Sequence, residues 1–171
     1  MDNKKSPLVS VIMGSTSDLP IMEKALEFLD QMEISFEVNA LSAHRTPAEV
    51  ENFAVNADKR GVKVIIAAAG MAAALPGVIA ANTVLPVIGV PIKSSLEGMD
   101  AAFSIMQMPP GIPVATVAIN GALNAAILAL QILSLADENL HQKMNDYKQG
   151  LKAKIVKANE DLSKLNYKNK M

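Results

Sequence analysis

Leu41-Ser42-Ala43-His44-Arg45-Thr46-Pro47 sets one of the chain's two histidines beside an arginine. The histidine can carry a proton near neutral pH. The arginine can grip a phosphate or carboxylate through two parallel N–H bonds. Thr46 reads as a helix N-cap, Pro47 fits the first helical position, and Glu49 completes a capping box. His44 and Arg45 then stand in the loop ahead of a helix, where unpaired backbone N–H groups and the macrodipole favour an anion. Taken structurally, the stretch is a capped helix with a solvated His-Arg pair. Taken chemically, it is an acid–base group beside an anion grip.

Gly14-Ser15-Thr16-Ser17-Asp18 is the second such stretch. Its glycine gives the backbone room, and three hydroxyls ahead of a helix suit a phosphate. It lacks the Gly-Lys-Ser/Thr of a P-loop and the later glycines of a dinucleotide fingerprint. Asp18 repels a close phosphate, so ribose hydroxyls are its natural partner. The plainer alternative is that Ser17 or Asp18 caps the helix. Ala68-Ala69-Gly70-Met71-Ala72 offers backbone only. A ligand can lie against it with N–H groups holding a carboxylate, or the small residues simply permit tight packing. Lys93 to Gly98 reads as a mobile lid, with Ser94 and Ser95 either ligand contacts or ordinary loop polarity. No cluster of histidine, cysteine and carboxylate suggests a metal. Ser15, His44 and Asp18 make a conceivable triad, but no nucleophile elbow accompanies them. Together the stretches point to acid–base chemistry on a phosphorylated small molecule.

These loops need a scaffold, and the pattern of strand and helix signals supplies one. Leu8–Met13, Phe36–Leu41, Val62–Ala68, Pro86–Val90 and Ile112–Ala118 read as strands. Leu19–Met32, Pro47–Lys59, Ala72–Asn82, Asp100–Met106 and Gly121–Leu135 read as helices between and after them. Repeated βα units imply a parallel sheet with right-handed crossovers and helices on both faces. Ligands bind beyond the carboxyl ends of such strands, so the loops after the first three share one crevice. From Asp137 onward, eight lysines and an apolar stripe through Leu140, Met144, Tyr147, Leu151, Ile155 and Leu162 describe an amphipathic helix. His141 there reads as solvated. Residues 1–136 form the catalytic domain on this reading. Residues 137–171 form a terminal helix that packs on its own or a neighbouring subunit, with Asn166 to Met171 frayed.

Composition narrows the function classes. Half the 171 residues are hydrophobic, 4% are aromatic, cysteine is absent and the net charge is −1. That excludes disulfides and a cysteine nucleophile, and gives no nucleic-acid footprint. Met1-Asp2-Asn3-Lys4-Lys5 lacks the apolar region of a signal peptide, which predicts a cytoplasmic protein. Val64 to Ala81 is long enough to span a bilayer, but Gly70, Pro76 and Gly77 break it and much of it is alanine. Between Val64 and Ala136 the only charges are Lys93, Glu97 and Asp100. So much uncharged chain predicts burial against other subunits, the alternative being helices that lie flat on their own sheet.

Taken jointly and in order, Gly14–Asp18, Ser42–Pro47, Leu75-Pro76-Gly77 and Ser104–Thr116 resemble the N5-carboxyaminoimidazole ribonucleotide mutases of purine biosynthesis (class I, the PurE family). The resemblance extends to about residue 150. It implies a flavodoxin-like three-layer αβα sandwich on a five-stranded parallel sheet, a homo-octamer, and a reaction without cofactor. That reaction moves a carboxylate from the exocyclic nitrogen of the ribonucleotide to C4 of the imidazole. By position it makes His44 the general acid and base. It makes Ser15, Ser17, Asp18, Ser42, Arg45, Gly70, Met71 and Ala72 substrate-binding, with no metal. Many members carry histidine where this chain has Ala74, and Asn120–Asn124 is shorter than the glycine-containing segment of many members. The alternatives are a sister enzyme that carboxylates aminoimidazole ribonucleotide with free carbon dioxide, and a non-catalytic phosphosugar-binding module on the same fold.

Overall fold

Val9–Met13 (β1) is buried at every position, as a strand covered on both faces is, with Ser10 its one polar residue. In the computed structural model, which describes residues 6–170, β1 is an interior strand of a five-stranded parallel sheet. Met1–Lys5, on which the leader argument rests, and Met171 lie outside the described residues. The other strands are Phe36–Ala40 (β2), Val64–Gly70 (β3), Val87–Ile92 (β4) and Ala115–Thr116 (β5), in the order β2-β1-β3-β4-β5. This is the flavodoxin-like winding, with its switch point between β1 and β3. The helices are Leu19–Gln31 (α1), Pro47–Val55 (α2), Leu75–Ala81 (α3), Met99–Met106 (α4), Ala122–Leu133 (α5) and Glu138–Ser163 (α6). α1 packs with α5, and α2 with α3, giving a helical layer on each face of the sheet. The three-layer sandwich expected from the βα alternation is the fold observed.

Element boundaries moved where backbone chemistry intervened. β5 keeps two of the seven residues expected of it. Pro113 has no donor to offer a ladder, and after Val117 N–H reaches the Gly89 carbonyl the chain turns away through Asn120 at φ 58°. α3 begins at Leu75 rather than Ala72, because Met71 is left-handed at φ 55° and Pro76 fits only the first turn. α2 ends at Val55, and a 3₁₀ turn over Asp58–Arg60 carries the chain to Gly61 at φ 97°. Gly89 in β4 is dictated by packing. A Cβ there would stand 2.4 Å from Ile105 of α4 and 2.9 Å from Val114.

One partly buried polar network ties the amino ends of the strands together. Ser10 of β1 is fully buried, and its Oγ donates to Glu37 Oε1 of β2 at 2.9 Å. Arg60 closes on the same carboxylate at 2.8 Å, donates to the Phe53 carbonyl, and stacks over the Phe53 ring at 4.8 Å. Replacing Ser10 with alanine removes one bond and leaves Glu37 to Arg60 alone. We expect the urea midpoint to fall by the equivalent of about 1 kcal/mol, with the slope unchanged.

The chain divides after Leu133 into two compact units. In the second unit α6 is capped by Asp137, whose carboxylate accepts from Leu140 N–H at 3.1 Å. At its far end Lys170 Nζ donates to the Leu162, Ser163 and Leu165 carbonyls. Leu151, Ile155, Val156 and Leu162 lie exposed along the helix, and His141 is exposed as expected. Among the described residues no helix is long and apolar enough to cross a membrane.

Candidate active site

The carboxyl ends of β1 to β4 enclose a cleft of about 750 Å³, within the range of small-molecule sites. All nine residues singled out from the sequence line it. Ser15, Ser17 and Asp18 come from the loop after β1. Ser42, His44 and Arg45 follow β2, and Gly70, Met71 and Ala72 close β3. The topology brings these loops to one rim because all four strands are parallel and end together.

The turn carrying His44 is built differently from the expected capping box. Thr46 stands at the N-cap position of α2 without capping it. Its Oγ1 reaches back instead, accepting from Ser42 N–H at 2.9 Å and donating to the Ser42 carbonyl at 3.0 Å. That carbonyl also receives the N–H groups of Arg45 and Thr46, so the latter is not left for Glu49. The result is a closed loop from Ser42 to Thr46 with His44 near its tip. Its N–H groups are therefore partly consumed within the turn. Arg45 is held by two neighbours. Its Nε donates to Ser42 Oγ and its Nη2 to the Gly14 carbonyl, each at 3.3 Å, which joins the second loop to the first. His44 lies exposed at the cleft, and no protein partner engages its imidazole among the described residues.

In the first loop Ser15 does the capping. Its Oγ accepts from Ser17 N–H at 3.3 Å and from Ser17 Oγ at 2.9 Å. Asp18 occupies the N-cap position of α1 without using its side chain to cap. It is the one carboxylate of the cleft, and it is buried. Burial pushes its pKa above the ordinary 3.8, against the opposing pull of hydrogen bonds from Ser17 and the Ser15 backbone. A buried acceptor of this kind suits hydroxyl donors of a ligand. Ser15 is engaged with Ser17 and not with His44, so the conceivable triad does not form.

Two features of the rim are not evident from sequence. Thr46, whose type and position suit a cap, is the clasp of the His44 turn. Lys93 and Ser94, at the start of the expected lid, line the cleft at the end of β4. The Lys93 to Gly98 segment is a turn, with Gly98 N–H on the Ser95 carbonyl, Met99 N–H on the Leu96 carbonyl, and Lys93 paired with Glu97. The solitary positive charge at Lys93 within a long uncharged stretch was the available signal.

Fold and cleft define a flavodoxin-like α/β protein with a crevice at the switch point of the sheet. The AIR carboxylase family matches residues 8–154, and the chain belongs to that family. The chain is 50% identical over 163 residues to the N5-carboxyaminoimidazole ribonucleotide mutase of Thermotoga maritima, covering 95% of each protein. It is 51% identical to the phosphoribosylaminoimidazole carboxylase of Candida albicans, where the match takes 96% of this chain and 29% of that protein. Among solved structures, a crystal structure of Treponema denticola PurE superposes with a TM-score of 0.82 at 33% identity, covering 94% of this chain and 99% of that one.

Proposed function

We propose that this chain is an N5-carboxyaminoimidazole ribonucleotide mutase acting in purine biosynthesis. It moves the carboxylate of its substrate from the exocyclic nitrogen to C4 of the imidazole ring. The single observation that carries this is the half-identity to the Thermotoga mutase across 95% of both chains. The cleft agrees with it, having one imidazole, one arginine and a hydroxyl-bearing first loop on a common rim.

The chemistry assigns a task to each group. Cleavage of the N-carboxylate bond releases carbon dioxide and leaves an amine, so His44 donates a proton to the departing nitrogen. C4 then attacks the carbon dioxide and loses its own proton, which His44 recovers, and the proton count closes. Confinement in the cleft keeps the carbon dioxide beside the ring, which makes re-addition a proximity effect. Ser15, Ser17, Ser42 and Arg45 hold the phosphate, and Asp18 accepts the ribose hydroxyls. The backbone of Gly70, Met71 and Ala72 lies along the ring. No cofactor is required.

The assembly proposed is a homo-octamer in the cytoplasm. The outer face of α4, where Met99, Phe103 and Met106 are each about half exposed with Leu96 beside them, supports self-association as such, and the count of eight follows the family resemblance. A second reading, direct carboxylation of aminoimidazole ribonucleotide with free carbon dioxide, is favoured by the name of the Candida relative. Turnover on the N-carboxylated ribonucleotide, compared with aminoimidazole ribonucleotide plus bicarbonate, separates the two. The mutase is expected to use the first and to show no bicarbonate dependence. Turnover that requires bicarbonate overturns it.

A further inference from the structure

We propose that Lys93, backed by Ser94, receives the carboxylate of the ligand, exchanging its ion pair with Glu97 for it. Granted the substrate proposed above, the cleft must accommodate two anionic groups, a phosphate and a carboxylate on the ring. Besides His44, its charged lining consists of Asp18, Arg45 and Lys93. Arg45 is committed to the β1–β2 side by its bonds to Gly14 and Ser42. Lys93 follows β4, three strand spacings from β2, or about 14 Å away. One guanidinium cannot serve both ends of a molecule lying along that rim. A second cation at the far end can.

The backbone around Lys93 is built to hold it there. Its N–H donates to Asn120 Oδ1 at 2.8 Å, and Asn120 N–H donates to the Pro91 carbonyl at 2.8 Å. Asn120 takes a left-handed conformation, φ 58°, to make both bonds at once. The chain after β4 also runs directly against the β3 loop. A Cβ on Gly70 would stand 3.6 Å from Ser94 Cβ and 3.3 Å from the Ile92 carbonyl. A ring carboxylate lying over Gly70 is therefore next to Ser94 and within the sweep of the Lys93 side chain.

The ammonium itself is free to move. Its partner is Glu97, which sits in a run of three successive left-handed residues, Leu96, Glu97 and Gly98, at φ 43°, 57° and 85°. Both side chains are largely in water, at 51% and 77% exposure, so the pair contributes little and exchanges readily. A ligand carboxylate in the less hydrated cleft is the better partner for the same charge. Glu97 keeps the ammonium at the rim until it is replaced.

The test is calorimetric binding of two nucleotides, the C4-carboxylated product and aminoimidazole ribonucleotide, which lacks the carboxylate. Lys93→Met is expected to weaken the carboxylated nucleotide by about 10-fold or more, the loss of a hydrogen bond to a charged group. Its affinity for aminoimidazole ribonucleotide should change by no more than about twofold, the scale of a surface substitution. Glu97→Gln is expected to tighten the carboxylated nucleotide alone, and unchanged affinity there overturns the exchange. Equal losses on both nucleotides, or none on either, overturn the carboxylate assignment. A parent protein that binds neither nucleotide is a failure of the proposed substrate, and is thereby distinguished from a failure at Lys93.

Discussion

Replacing His44 with asparagine should reduce turnover by about 10²- to 10⁴-fold, the span attributed to a positioned general acid–base group. Affinity for the C4-carboxylated product should stay within about threefold of the parent, less than one hydrogen bond's worth. The two expectations follow from one geometry. The imidazole lies at the cleft and has no protein partner among the described residues, so its removal strands no protein hydrogen bond. The turn that carries it is held by Thr46 and Ser42 through their own bonds, so it keeps its shape when the ring is lost. Asparagine fills part of the volume and remains polar, but cannot shuttle a proton. Steady-state turnover with calorimetric binding on the same preparation reads both. Turnover within tenfold of the parent would assign the proton to another group. A collapse of binding would make His44 a ligand contact.

The layers of this fold could be read from sequence because each strand and helix states its own period. Val64 to Gly70 is apolar throughout, and α1 presents Met22, Ala25, Phe28 and Leu29 to the core at helical spacing. Parallel pairing then brings the carboxyl ends of β1, β2 and β3 to one rim, and so gathers nine separated residues into one cleft. The local geometry of that rim was less legible, for a physical reason. Thr46 has the right type and position for an N-cap, but its hydroxyl has two suitable partners. It took the backbone N–H and carbonyl of Ser42, four residues back, rather than the free N–H groups of the helix ahead. Asp18 has the type for a cap as well, yet Ser15 satisfies the turn and leaves the carboxylate to the cleft. Such choices between a helix end and a side chain depend on where the preceding strand delivers the chain. β5 failed for the complementary reason. Its residues have strand character, but a proline without a donor and a left-handed Asn120 leave only two of them in the ladder. Lys93 was hidden because its placement depends on Asn120, 27 residues further on.

Exchanging Asp18 for asparagine should move stability and binding in opposite directions. Burial raises the pKa of this carboxyl above its ordinary 3.8, so the native state holds the proton more tightly than the unfolded chain does. The stabilising contribution of the protonated group is complete below about 3.9, where the unfolded carboxyl also binds its proton. It is lost as pH rises through the higher native value. As pH rises the parent therefore has to fold around a carboxyl whose ionised form burial disfavours. Asparagine is neutral at every pH and escapes that cost. The variant should melt higher than the parent at pH 7.5, with a gain of 1 kcal/mol appearing as about 2–4 °C in a chain of this size. The gap should narrow as the solution is acidified and the parent's own carboxyl becomes neutral. The same change removes a charged acceptor for ribose hydroxyls, so nucleotide affinity should fall by about 10-fold, in keeping with the greater strength of charge-assisted bonds. Scanning calorimetry at pH 7.5 and near pH 4, together with nucleotide titration, tests both halves. A variant that melts lower than the parent at pH 7.5 would mean that the carboxylate is a structural acceptor. The predicted pairing instead makes Asp18 a group retained at some cost to stability because the ligand needs its charge.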